Sequence, residues 1–286
     1  MAESKNFLGI LTEYSKAKIA LLPIPYESSV SYGSGTKNGP QAIINASQYL
    51  EWYDLEQKCE PAQAGIYTLP DIKPVKDPEK MMNIIKHKII QLLKDKKFPV
   101  ILGGEHTISI GSTFGALEIF PKLSILHFDA HSDCRSKFRG NPYSHACTLY
   151  KIREKNKKTV SVGIRSTSLE EIDYINKEQV PIYYAKDIIK KGFPIQDILK
   201  QLTDDVYLSF DIDALDPSIV EQTGTPEPGG LTWYPTLEFL KELFKQKNVV
   251  GLDMLELAPN PAHPNADFTT AKLIYKILGY KFPKGK

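Results

Sequence analysis

Four short segments of this 286-residue chain concentrate side chains that bind cations or move protons. Asp129, His131 and Asp133 stand two apart in Asp-Ala-His-Ser-Asp. In extended backbone, residues two apart point the same way, so these three would converge on one side. Two carboxylates converging with an imidazole at a buried position repel each other unless a cation is shared between them. A capping or turn cluster at the start of a loop is the alternative reading. Asp211 and Asp213 repeat the spacing, and Asp216-Pro217 follows as a turn signal, so this pair reads equally as a cation site or as a cap and turn. His106 follows Gly103-Gly104-Glu105, where the glycines permit a tight exit of the chain. Taken alone, that histidine is more readily hydrogen-bonded than ligating. Glu256 closes Asp253-Met254-Leu255-Glu256 and is either a surface acid or a cation binder.

Together His106, Asp129, His131, Asp133, Asp211 and Asp213 exceed what one metal needs. Two cations sharing bridging carboxylates use the set, and four aspartates balance the charge of two divalent ions. Oxygen-rich ligation with imidazole favours Mn²⁺ and similar ions over metals that prefer thiolates. A water between two such cations is acidified towards hydroxide, the nucleophile of two-metal hydrolases.

Each segment needs a rigid element to deliver it. Apolar runs rich in Val, Ile and Leu predict strands at 18–22, 99–102, 123–128, 160–163, 206–210 and 249–255. They show little polar alternation, as strands buried on both faces of a parallel sheet do. Amphipathic patterns predict helices at 78–94, 169–177, 195–202, 235–245 and 269–278, the first with Asp77 as N-cap and Pro78 at its first position. The alternation implies βαβ units and an α/β fold with helices layered on one parallel sheet. Open parallel sheets bind ligands beyond the carboxyl ends of their strands, where the four segments fall. No repeat or composition shift marks a boundary, so residues 1–286 read as a single domain.

Composition narrows the partners. The chain carries 36 basic and 34 acidic residues, but only four of the former are Arg, and the Lys clusters are mixed with acids. No basic stripe points to nucleic acid. No apolar stretch approaches the ~20 residues of a membrane span, and no signal peptide is expected at the N-terminus. Cys59, Cys134 and Cys147 lack C-x-x-C spacing and suit a reducing, cytoplasmic setting.

The motifs GGEHT (103–107), DAHSD (129–133), SFDIDALDP (209–217) and the Glu256 segment resemble the ureohydrolase family, which includes arginases and agmatinases. The segments GNPYSHAC (140–147) and GTPEPGGLT (224–232) look most like the agmatinase branch, and the resemblance runs from about residue 33 to about residue 278. It implies a three-layer α/β/α sandwich around a mainly parallel sheet, assembled as a homo-oligomer, trimer or hexamer. It implies two Mn²⁺ per subunit: one held by His106, Asp129, Asp133 and Asp211, the other by Asp129, His131, Asp211 and Asp213. Glu256 would bind the guanidinium of a small-molecule substrate, and Thr225 and His145 would also bind that substrate. His145 would shuttle the proton, and Asp133 would hydrogen-bond the nucleophile. The implied reaction is agmatine plus water to putrescine plus urea. A guanidino-acid hydrolase or an arginase is the alternative within the class, and a catalytically silent metal-binding protein the alternative outside it.

Three features depart from the family pattern. Glu105 stands where Asp is usual. Cys134 follows Asp133, where a small buried filler is expected. The loop with Arg135, Lys137 and Arg139 is unusually basic. Arg135 also replaces an Asn with which arginases hold an amino-acid head, favouring a substrate without an α-carboxylate. Of the other histidines, His87 is read on a polar helix face, His127 as a hydrogen-bonded core residue and His263 as a loop residue near Glu256.

Overall fold

The computed structural model describes residues 6–283. Its strands are β1 (Ile19–Ile24), β2 (Ile66–Thr68), β3 (Phe98–Gly103), β4 (Ser124–Phe128), β5 (Thr159–Ile164), β6 (Ile182–Tyr184), β7 (Asp205–Asp211) and β8 (Asn248–Leu255). They form one sheet in the order β2-β1-β3-β8-β7-β4-β5-β6, and every neighbouring pair is parallel. The helices are α1 (Gly39–Ser47), α2 (Pro78–Lys94), α3 (Ile108–Ile119), α4 (Thr148–Lys155), α5 (Leu169–Glu178), α6 (Ala185–Lys191), α7 (Ile195–Gln201), α8 (Trp233–Gln246) and α9 (Asn265–Lys281).

The sheet separates two apolar layers because successive strand residues face opposite sides. Val100 and Leu102 of β3, and Leu126 and Phe128 of β4, pack on the side of α1, α8 and α9. Ile101 and Ile125 pack on the other side, with Met81, Ile85 and Ile89 of α2. Burial on both faces explains the continuous apolar runs in the sequence. The result is the expected α/β/α sandwich.

The predicted helix at 78–94 is α2, with Asp77 accepting from the N–H groups of Glu79 and Lys80. The α3 helix has no amphipathic signature to betray it. Its two glycines instead make room for α2: a Cβ on Gly111 would lie 2.6 Å from Met82 O, and one on Gly115 2.7 Å from Lys86 O. The short strands β2 and β6 lie at the two sheet edges and carry too few residues for a periodic signal. No helix among the described residues is long and apolar enough to cross a membrane.

Candidate metal centre and active site

The four central strands, β3, β8, β7 and β4, end side by side. Pairing of Phe128 with Phe210 brings the tips of β4 and β7 level, and pairing of Asp211 with Leu255 does the same for β7 and β8. The residues just beyond those tips therefore meet. His106, Asp129, Asp133, Asp211, Asp213 and Glu256 are all buried, and His131 is partly so.

His106 Nδ1 lies 2.9 Å from Asp129 Oδ2, 3.2 Å from Asp211 Oδ2 and 3.4 Å from Asp133 Oδ2. His131 Nδ1 lies 3.0 Å from Asp213 Oδ2 and 3.4 Å from Asp129 Oδ1. Asp129 thus presents one oxygen to each imidazole. Two groups of ligand atoms result, each within 4.8 Å: His106, His127, Asp129 and Asp133, and then Asp129, His131 and Asp213. Asp211 sits with the first group through His106, while its Oδ1 caps the 3-10 turn Ile212–Ala214 by accepting from Asp213 N–H.

The donor set fits cations. His106 Nδ1, His127 Nε2 and Asp129 Oδ2 are buried without a hydrogen-bond partner of good geometry, although each of the two nitrogens lies about 3 Å from Asp129 Oδ2. Buried polar atoms are otherwise paired. The electrostatics agree. Burial, then the charge of Asp129, holds the Asp133 carboxyl well above the usual range. Burial, then Asp213 and Asp129, does the same to Asp211. Burial works against protonation of His106, but Asp129 and Asp211 outweigh it and raise that imidazole. Carboxylates crowded in this way need positive charge among them.

Behind the cluster, His106 Nε2 meets Ser209 Oγ at 3.1 Å, which leaves Nδ1 facing the carboxylates. Asp253 accepts from Ser109 and Ser112 in the same buried layer, so it supports the strand tips and stays outside the ligand groups. His127 is a fully buried core histidine hydrogen-bonded to Ser161 Oγ at 3.2 Å, as the sequence reading has it, and it also borders the cluster. Its ring stacks on His106 with centroids 5.0 Å apart, and its Nε2 is 3.0 Å from Asp129 Oδ2.

Glu256 and His145 face each other beside the cluster, with Glu256 Oε1 4.0 Å from His145 Nδ1. Glu256 accepts from His106 N–H and donates its own N–H to Gly104 O. Its φ of +63° and the +50° of Asp133 are left-handed conformations that side-chain-bearing residues adopt at a cost, and both fall at this site. Burial, then the charge of Glu105, pushes the Glu256 carboxyl up to about 8. Burial likewise disfavours the charged form of the His145 imidazole and lowers it. The cavity between them is about 270 Å³ and is also lined by Thr225.

The arginase family profile matches residues 17–279. The chain belongs to the arginase family. It is 36% identical to an N(1)-aminopropylagmatine ureohydrolase of Synechocystis over 96% of this chain and 94% of that one. It is 31% identical to an agmatinase of Pyrococcus horikoshii over 92% of each chain. The agmatine ureohydrolase structure of Thermoplasma volcanium superposes with a TM-score of 0.90 at 29% identity, over 98% of this chain and 94% of that one.

From the basic loop, Arg135 and Phe138 reach the lining of this arginase-family cavity. Arg135 lines it, but its Nε lies 3.4 Å from Oε2 of buried Glu171. Arg135 and Arg139 both cover the Phe138 ring, at 5.2 Å each, and that ring meets His145 edge-on at 6.4 Å. Lys137 and Arg139 are exposed and lie off the cavity wall. Glu171, missed by the sequence reading, also accepts from the Ser132 hydroxyl and the Cys134 N–H and closes a capping box with Ser168. Glu227 lies 4.0 Å from His131 Nε2. Cys134 is buried outside both ligand groups, burial raising its thiol, as expected of a filler. His87 and His263 are exposed and outside the cavity.

Proposed function

We propose that the chain is a two-Mn²⁺ amidinohydrolase that cleaves an amine-tailed guanidine, with agmatine as substrate. The water oxygen goes to the guanidinium carbon, the bond from that carbon to the tail nitrogen breaks, and urea and a protonated amine leave. His106, Asp129, Asp133 and Asp211 would hold one cation, and Asp129, His131, Asp211 and Asp213 the other. Two cations there supply hydroxide at neutral pH, because cations acidify the water they hold. The observation that carries the reading is Glu256, a buried carboxylate fixed against the His106 backbone and facing the open cavity.

A guanidinium is charged at all working pH and matches a planar carboxylate acceptor. Glu256 binds it and so places the carbon over the cluster, with Thr225 on the same wall. Asp133 accepts from the attacking water and orients its lone pair. His145 takes up a proton and returns it to the leaving nitrogen, general acid–base work for which a neutral imidazole is suited. The tail then runs towards Ser168, Glu171 and Arg135. Arg135 is paired with Glu171, so a cationic tail meets a neutralised wall, which supports an amine over a carboxylate.

A second reading, N(1)-aminopropylagmatine as substrate, is favoured by the 36% identity to an enzyme of that name. Both substrates share the guanidinium and the first four methylenes, and differ only beyond them. Urea release from agmatine, N(1)-aminopropylagmatine, guanidinobutyrate and arginine, with Mn²⁺, tests the assignment. Higher kcat/KM for guanidinobutyrate would remove the amine-tail reading, and no urea from any guanidine would remove the enzyme. We read the whole chain as one domain, working as a cytoplasmic trimer or hexamer.

A further inference from the structure

We propose that Glu105 is a positioning residue for His145, acting through Ser29. The inference rests on the reading of His145 as the proton relay.

Glu105 is fully buried beside His106, and among the described residues no cation pairs with it. Hydrogen-bond donors surround its two oxygens instead. Oε2 accepts from the N–H groups of Ser28 at 2.5 Å and Ser29 at 2.7 Å. Oε1 accepts from the hydroxyls of Thr107 at 2.7 Å, Ser29 at 2.9 Å and Ser28 at 3.4 Å. A buried carboxylate satisfied by so many donors fixes the segment that supplies them. That segment is the turn leaving β1, which also places Ser31 on the cavity wall.

The consequence lies in the Ser29 hydroxyl. It has one proton and two lone pairs. Glu105 takes the proton, so the oxygen is left as an acceptor, and it accepts the backbone N–H of His145 at 2.9 Å. His145 opens the 3-10 turn His145–Cys147, a segment more than 100 residues along the chain from the β1 exit. The bond through Ser29 thus ties that turn to the β1 exit and sets the distance from the imidazole to Glu256. Glu at position 105 has one methylene more than the Asp usual in the family. That extra reach lets one carboxylate span Ser28, Ser29 and Thr107 together.

The test is a double-mutant cycle on the Mn²⁺-loaded enzyme. Ser29→Ala removes the link to His145 and leaves Glu105 its other donors. It should lower kcat about tenfold, with KM little changed, two bound metals retained and Tm nearly unmoved. Ser29→Thr keeps a hydroxyl and should restore most of the rate. In a His145→Ala background, Ser29→Ala should cost nothing more, because its effect runs through the absent imidazole. An equal loss in both backgrounds, loss of metal, or a native rate for Ser29→Ala would overturn the inference while leaving the relay reading intact. A native rate for His145→Ala would overturn both. Glu105→Asp should lower kcat as Ser29→Ala does, again without further loss in the His145→Ala background.

Discussion

The backbone N–H of His106 donates to Glu256 Oε1 at 2.5 Å, joining the tips of β3 and β8 across 150 residues of sequence. The strand that brings an imidazole to the ligand cluster therefore also aims the carboxylate read as the guanidinium acceptor. The Glu256 N–H also donates to Gly104 O, so two bonds join these tips, and a shift of one strand against the other would misplace both side chains. Glu256→Gln keeps the shape and the acceptor oxygen but removes the charge. We expect a loss of roughly 30- to 1000-fold in kcat/KM, with both metals still bound. Initial rates together with metal analysis of the same preparation check it; near-native catalysis would take Glu256 out of the substrate site.

Asp129 offers one oxygen to each side of the cluster, so its loss should be felt on both. Asp129→Ala is expected to abolish binding of both cations, whereas His131→Asn should weaken only the one beside Asp213. Metal-to-protein stoichiometry distinguishes these outcomes. Chelation should also lower Tm in the wild-type enzyme, since a ligand present at ~100 times its Kd stabilises by about 2.7 kcal/mol. A wild-type Tm indifferent to Mn²⁺ would contradict the assignment.

The tail wall makes a prediction about selectivity. Arg135→Ala would release Glu171 from its ion pair and expose a carboxylate to the tail. The ratio of kcat/KM for agmatine to that for guanidinobutyrate should rise several-fold, because a close pair of charges in a partly screened site is worth about 1–4 kcal/mol. Lys137→Ala, exposed and off the wall, should leave the ratio alone. A fall in the ratio for Arg135→Ala would show that Arg135 does not oppose the amine.

Away from the site, Lys276 of α9 pairs with Asp54 at 2.9 Å and with Glu56 at 2.8 Å. Burial tends to raise the Asp54 carboxyl, but the N–H of Gln57 and the Lys276 ammonium outweigh it and lower it. A carboxyl lowered in the folded state contributes stability that is complete above the unfolded value of about 3.9 and is lost as pH falls through the folded one. Lys276→Met should cost roughly 3–5 kcal/mol at pH 7, and its deficit should shrink below pH 4. Urea denaturation at pH 7 and pH 3 measures both; an unchanged deficit would rule out the ion pair as its source.

Gly111 should resist replacement even by alanine. The added methyl would press on Met82 O and on Ile85 Cβ, 2.6 and 2.8 Å away. Overpacking of this kind costs about 1–3 kcal/mol, more than the ~1 kcal/mol of helix propensity that alanine gains. Gly111→Ala is therefore expected to lower Tm, and an increase would mean that α2 can move away from α3 freely.

Much of this protein is local in its sequence. Strands β3, β4, β7 and β8 are legible because burial on both faces requires an unbroken apolar run. The side chains at their tips are legible because a period of two aims Asp129, His131 and Asp133 together. Helix α2 is legible from Asp77, Pro78 and one apolar stripe. Helix α3 is not, because Gly111 and Gly115 are there to admit α2, and a lack of side chain has no periodicity. His127 is legible as a hydrogen-bonded core residue, and only the tertiary structure adds its stacking on His106, which arrives from β3. The surroundings of Arg135 and Glu105 are not legible in the sequence, because Glu171 comes to Arg135 from α5 and Ser28 and Ser29 come to Glu105 from the β1 exit. The amino-acid sequence determined which side chains stand at each strand end, since that follows from spacing along one backbone. Only the tertiary structure decided that β3, β8, β7 and β4 lie next to one another, because strand order is set by burying both faces of the sheet under helices from the whole chain.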